Sequence, residues 1–570
     1  MAEESFRSEL FAFADAYIER SAALDPIAAT DFGIDRYDHE LTDFSLAHAS
    51  ETTDFVRSSL RALTAITPTD EIDRVGKEVM MERLTVTLGL EESGETRRIF
   101  SVMGSPAAAI RQVFDLQPAE TPEHAEKIRA RLAAVRGSLE SWRGALDEDS
   151  SDGLVSARRQ AVNVAEQLET YGRGAFRGVA ESTAKSCRVD AETSGLSAAA
   201  ADADLVCDEL AAWLRAVYAP RAAENDDVGA ERYGRWASYF TGAELDLAEI
   251  YDWGWADLQR INARMWEIAA EVAPGVDSLA GVAAVLDADD DRAVHGADVL
   301  LERLRGMTDG AVAMLDGTHF DIDERVRFCD ARLAPEGSAA APYYISPSED
   351  LSRPGTTWYP TMGHDRFPLW RLVSTWYHES VPGHHLQIAT TILQRERQSR
   401  FQRLLGFISG YGEGWALYAE RLMDELGAFG DPADEMGFLS CQALRAARIV
   451  VDIGMHLSLA APSDVGVLGR LGDVAGRTWD AQMAVCLLEE RAIEPPDMAV
   501  SEVDRYLGLP GQAISYKVGE RVWLEAREDA RRRLGPAFDL KAWHAHALAL
   551  GPMGLDPFRR EMAGFAGATA

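Results

Sequence analysis

The sequence predicts a mainly α-helical protein with one small β-sheet beside its chemistry. Three observations carry that expectation. Apolar residues recur at spacings of three and four through most of the 570 residues. One interval alone, about 320–362, breaks the pattern, with Pro, Gly and Ser between short runs of Tyr, Val, Ile, Thr and Trp. No period of roughly 20–50 residues repeats, which argues against a solenoid.

Helical windows run first over about 6–24, 51–66, 70–95, 121–147, 155–180 and 198–225. The Ser/Ala-rich stretch Glu181–Ala203 reads as a loop between an N-terminal helical lobe, 1–190, and a second lobe, 191–570. The clearest window is Leu247–Ala273, where Leu247, Ile250, Trp253, Leu258, Ile261 and Trp266 share a face. Thr241 or Gly242 is the expected cap, and Pro274 the stop. A window at 277–316 precedes the interval at 320–362, which reads as two or three short strands and the only sheet. Further helical windows follow at 366–395, 401–426, 433–461, 466–491, 499–508, 511–533 and 540–548.

Composition excludes several classes of function. Lys+Arg total 57 against 93 Asp+Glu, a net charge of −36. Such a surface repels phosphate backbones and anionic lipid, so neither nucleic acid nor a membrane surface is an expected partner. Five cysteines stand singly with no CxxC, which fits a reducing compartment rather than a disulfide framework. The N-terminus is acidic and amphipathic, with no basic or apolar leader pattern. The expected address is the cytoplasm. No GxSxG elbow, Walker loop or strand-linked GxGxxG appears, which leaves nucleophilic and nucleotide-dependent chemistry without support.

Five of the twelve histidines fall between His364 and His456. At the centre stands Tyr377-His378-Glu379-Ser380-Val381-Pro382-Gly383-His384-His385, followed by Tyr411-Gly412-Glu413-Gly414-Trp415 and, seven residues after Glu413, Glu420. A catalytic zinc takes three protein ligands, commonly two His and a carboxylate, and keeps one position open. A glutamate beside the first His can take the proton of the water held there. The familiar helical spacing is HExxH, but here Pro382 stands four residues after His378. Six residues is roughly 600° of helical rotation, and seven brings about 10 Å of rise. Either His384 or His385 therefore needs a bend to meet His378. Pro382 and Gly383 supply one, and a two-residue bulge would carry His384 to the place of a fourth-position His.

HESVPGHHLQ, EGWALYAE, RAARIVVDIGMH from Arg445 and PGQAISYKVGE from Pro510 resemble the bacterial domain of unknown function 885, grouped with the gluzincin-like metallopeptidases. The resemblance extends from DPIAATDFGIDRYDHEL near Asp25 to the C-terminal helices. It implies a mostly helical, two-lobed metallopeptidase with a deep cleft. By position it implies His378, His384 and Glu413 as ligands of one zinc ion and Glu379 as general base. Glu420 is an alternative carboxylate ligand two turns after Glu413, with a surface carboxylate, or an acid that holds a ligand imidazole, as the favoured reading.

The expected reaction is hydrolysis of short peptides or peptide-like amides by metal-activated water. An oxyanion donor is needed opposite the metal, and Tyr516 or His456 can supply it. Arg448, Lys517 and Tyr344 are candidate substrate-binding residues, each with packing or ion pairing as the plainer reading. Two other readings use the same residues: a non-haem iron enzyme, and a non-catalytic peptide-binding scaffold whose structural metal takes His385 as a fourth ligand. No motif speaks to the cleaved end or to oligomeric state.

Overall fold

The structure, a computed structural model, describes residues 7–334, 341–348, 351 and 353–567. Of the expected strand interval, 335–340, 349–350 and 352 lie outside the described residues. The chain forms two compact units, and both are mainly helical.

The first unit comprises 1–69, 84–228 and 504–509. Its spine is the helix Pro122–Ser151, which Thr121 caps by accepting from His124 N–H, with Pro122 in the first turn. Ile128, Leu132, Val135, Leu139, Trp142 and Leu146 follow at helical spacing and are all buried. The division expected near residue 190 is not found there. Glu181–Ala203 ends one helix, Ala175–Cys187, and begins another, Leu196–Trp213, and Leu196, Ala200 and Ala203 lie in this unit's core. Small residues that read as a loop are here the flat faces that let helices approach closely. The chain leaves the unit at Val228 instead. The helix Pro106–Leu116, absent from the expectation, also belongs to this core.

The second unit comprises 70–83, 229–503 and 510–570. The window at Leu247 forms the helix Leu247–Val272, capped by Asp246 rather than Thr241 or Gly242. Its carboxylate accepts from Ala248 and Glu249 N–H. The expected sheet is present: β2 (Asp330–Leu333) runs parallel to β4 (Thr356–Tyr359), and β3 (Tyr343–Ile345) pairs antiparallel on the other side of β4. A second ribbon was not expected. β1 (Ala293–His295) pairs with β5 (Arg366–Pro368); it interrupts the window 277–316 read as continuous helix and takes the first residues of the window 366–395. Three-residue strands are too short to show a period of two. The window 466–491 likewise holds only the helix Ala481–Arg491 after a short 3₁₀ turn. Among the described residues no helix is long and apolar enough to cross a membrane.

The helices that build the site are Leu372–Glu379, His384–Leu393, Ser409–Glu425 and Pro432–His456. Pro432–His456 is buried along almost its whole length. It meets the chain before Leu372–Glu379 so closely that a Cβ on Gly437 would lie 1.7 Å from the Trp370 carbonyl oxygen. Backbone cannot yield there as a side chain can. We expect Gly437→Ala to cost about 1–3 kcal/mol, as overpacking of a filled interface does. A melting curve checks it, and an unchanged midpoint would mean the two helices are free to separate.

Candidate metal centre

The helix Leu372–Glu379 carries His378 and Glu379 in its last turn and stops where Ser380 N–H bonds to the Trp376 carbonyl. Gly383 N–H then turns back to the Tyr377 carbonyl, 3.0 Å away. Only glycine fits, because a Cβ at Gly383 would fall 1.9 Å from the His378 oxygen. His384 opens the next helix. The expected bulge within one helix is therefore a complete break between two. The outcome for the side chains is the expected one: the His378 and His384 rings meet edge to face, with centroids 4.8 Å apart. Trp415 Nε1–H donates to the Pro382 carbonyl at 2.9 Å and fixes the break against Ser409–Glu425. That helix supplies Glu413.

Glu413 Oε2 lies 3.2 Å from His378 Nε2 and 3.5 Å from His384 Nε2. The three donor atoms all lie within 4.8 Å of one another. Two donors bound at about 2.0–2.1 Å to a tetrahedral ion stand about 3.3 Å apart. The donor set and its spacing thus fit zinc. His378 Nδ1–H donates to Glu420 Oε1 at 2.8 Å, which turns Nε2 toward Glu413. Ser374 Oγ donates to the other Glu420 oxygen, and Arg445 stands 3.7 Å from the first. Burial works against the imidazolium, yet Glu413 and Glu420 outweigh it and lift His378 to about 10. Burial acts to raise Glu413, but His384 and His378 hold its carboxyl well below the usual range. The Glu379 carboxyl is different: burial raises it, against the pull of His378 and His384.

The family model for bacterial proteins of unknown function, DUF885, matches residues 26–562. The chain belongs to that family. No curated protein matches it. Among solved structures, the "putative lipoprotein" from Colwellia psychrerythraea superposes with a TM-score of 0.83 at 20% identity, over 97% of this chain and 98% of that one. The "putative lipoprotein of unknown function" from Shewanella oneidensis does so with a TM-score of 0.74 at 18% identity, over 97% and 100%. At these identities the likeness is one of fold.

In this DUF885 protein the other residues singled out by sequence fall into separate places. His385 points away from the cluster: its Nε2–H donates to the Val326 carbonyl at 2.9 Å, and Tyr344 donates its hydroxyl to Nδ1 at 3.0 Å. Burial pushes His385 down to about 4. Tyr344, expected to bind substrate, instead ties β3 to the helix His384–Leu393 through that bond. Lys517, expected likewise, is buried between Asp257, Glu520 and Gln442. His456, an expected oxyanion donor, is buried against Tyr233 and 3.6 Å from Asp452, whose carboxylate accepts from Tyr233 and from Gly511 N–H. Both belong to the packing of the unit. Arg448 is bound to Glu502 at 2.7 Å, the ion pair given as its plainer reading, and its guanidinium lies under the half-buried Tyr516 ring. Sequence reasoning missed the role of Arg445. Its signal was the spacing of Cys441, Arg445 and Arg448, one stripe on a helix that faces Leu372–Glu379.

Proposed function

We propose that this chain is a zinc-dependent hydrolase of short peptides or peptide-like amides, and that its fold is one of the gluzincin-like metallopeptidases. The observation that carries the reading is the convergence of His378, His384 and Glu413, with Glu379 beside one imidazole and Glu420 behind it. Bound there, zinc supplies a Lewis acid and a water of lowered pKa. Glu379 takes the proton of that water and passes it to the leaving amine. A carboxyl raised by burial suits both halves of that transfer. Glu420 keeps the His378 proton on Nδ1. His385 is spent on Val326 and Tyr344, which favours three protein ligands and an open position over a closed structural site.

Tyr516 is the donor we assign to the developing oxyanion, with Arg448 under its ring to hold it. Loss of one such donor costs about 3 kcal/mol, roughly a hundredfold in rate. Tyr516→Phe is expected to lower kcat and kcat/KM together and to leave KM, zinc content and melting temperature nearly unchanged. Steady-state kinetics at full turnover would instead mark it as a packing ring.

The function is tested on protein purified without added metal. Elemental analysis is expected to find zinc, and a diverse short-peptide library read by mass spectrometry to show cleavage that a chelator abolishes and zinc restores. Iron in place of zinc would favour oxygen chemistry, and zinc without cleavage a scaffold. For the address we propose the cytoplasm, on the strength of five unpaired cysteines; the two solved neighbours are described as lipoproteins, and fractionation of cells decides.

A further inference from the structure

Three helices meet on one buried carboxylate behind the candidate metal centre. Ser409–Glu425 carries Glu420, which is wholly buried. Leu372–Glu379 carries its two hydrogen-bond donors: His378 Nδ1–H reaches one oxygen at 2.8 Å and Ser374 Oγ–H the other at 2.5 Å. Both donors are neutral once His378 binds a metal, because a ligand imidazole gives the Nε2 lone pair and keeps its proton on Nδ1 alone. A buried carboxylate with no opposite charge is costly. Among the described residues the one other cation paired with Glu420 is Arg445, from the helix Pro432–His456. Its Nη2 lies 3.7 Å from the same oxygen that meets His378. Arg445 is itself buried, and Glu420 is the only carboxylate it pairs with among the described residues. Its other partner is the Cys441 side chain, one turn earlier. Arg448, one turn later, is by contrast closed by Glu502 at 2.7 Å.

We propose that Arg445 is a positioning residue of the metal centre: its guanidinium answers the Glu420 charge, so that Glu420 stays a full acceptor for the Nδ1–H of His378 and holds that ring with Nε2 toward the metal. The inference rests on the metal site proposed above, not on the peptide as substrate. Arg445 touches neither metal nor substrate and acts through two other side chains in series. Arginine suits the place, because its guanidinium keeps its charge when buried and is more weakly hydrated than an ammonium. Removing one partner of a buried ion pair leaves the other uncompensated, which destabilises far more than the pair stabilises. Here that cost falls on the carboxylate that orients His378. Changes to such partners of a ligand imidazole lower metal affinity by about 10–100-fold.

Zinc affinity is measured by competition with a chromophoric chelator, which needs no turnover. Arg445→Gln is expected to weaken zinc binding by about 10–100-fold. Arg445→Lys, which keeps the charge, is expected to recover part of that loss, and Cys441→Ala to leave affinity unchanged. In a Glu420→Gln background there is no charge to answer, so adding Arg445→Gln is expected to weaken zinc no further. That double variant removes both charges together and carries the test if Arg445→Gln alone does not fold. Wild-type affinity in folded Arg445→Gln, or an equal loss with and without the Glu420 carboxylate, overturns the proposal. A loss that lysine does not rescue at all makes Arg445 a packing residue and overturns it too. Weakened zinc binding in Arg445→Gln, beside a wild type that cleaves no peptide, leaves the proposal standing and removes the hydrolase reading. Unchanged zinc affinity with chelator-sensitive cleavage intact does the reverse.

Discussion

Glu379→Gln is expected to keep its zinc and lose hydrolysis by about 10²–10⁴-fold, the contribution of a positioned general base. The side chain keeps its size and one oxygen, and Glu379 is not one of the three donors that converge on one another. What the amide loses is the capacity to hold a proton. Burial raises the Glu379 carboxyl, which makes it a better acceptor than an exposed glutamate and places its working range nearer neutrality. The loss should appear in kcat and in kcat/KM alike, because proton transfer belongs to the transition state and not to substrate binding. Steady-state rates beside elemental analysis on one preparation give the answer. Turnover near that of the wild type, with zinc intact, would require another base.

What the sequence reveals and what it hides divide along physical lines. The helix Leu247–Val272 was legible almost to the residue, because its apolar face is continuous and Pro274 lies just beyond its end. The sheet β2-β4-β3 was legible from proline and glycine punctuation. The ribbon of β1 and β5 was not, because strands of three residues pair across 73 positions and leave no local period. The site shows the same division. His378, His384 and Glu413 could be read from spacing and resemblance, since a helix break and a second helix are local features. The partners of Lys517 and His456 could not. Asp257 and Tyr233 come from helices far upstream, and only the folded chain shows that a residue type suited to chemistry is occupied by packing. Arg445 was hidden too. It stood inside a recognised motif, but its place 3.7 Å from the buried Glu420 carboxylate depends on two helices meeting, which no sequence displays.

His378→Ala, His384→Ala and Glu413→Ala are each expected to strip the metal, while His385→Ala keeps it. The contrast between adjacent histidines makes this the sharpest test of the site. Every ligand of a three-ligand site is needed, because the remaining two donors cannot hold the ion against water. His384 brings Nε2 to 3.5 Å from the Glu413 oxygen that His378 also meets. His385 begins one residue later and turns about 100° around the same helix, which directs its ring to the Val326 carbonyl and the Tyr344 hydroxyl. Its removal leaves those two groups without their imidazole. An unsatisfied buried partner costs about 1–3 kcal/mol, so His385→Ala should melt earlier although its zinc is retained. The ligand variants should show the opposite pattern: zinc gone, with the apo protein folded by the helices that position the site. Elemental analysis and a melting curve on all four proteins separate the cases. If His385→Ala loses zinc and His384→Ala keeps it, the break at Pro382-Gly383 delivers the wrong histidine and the ligand assignment moves by one residue.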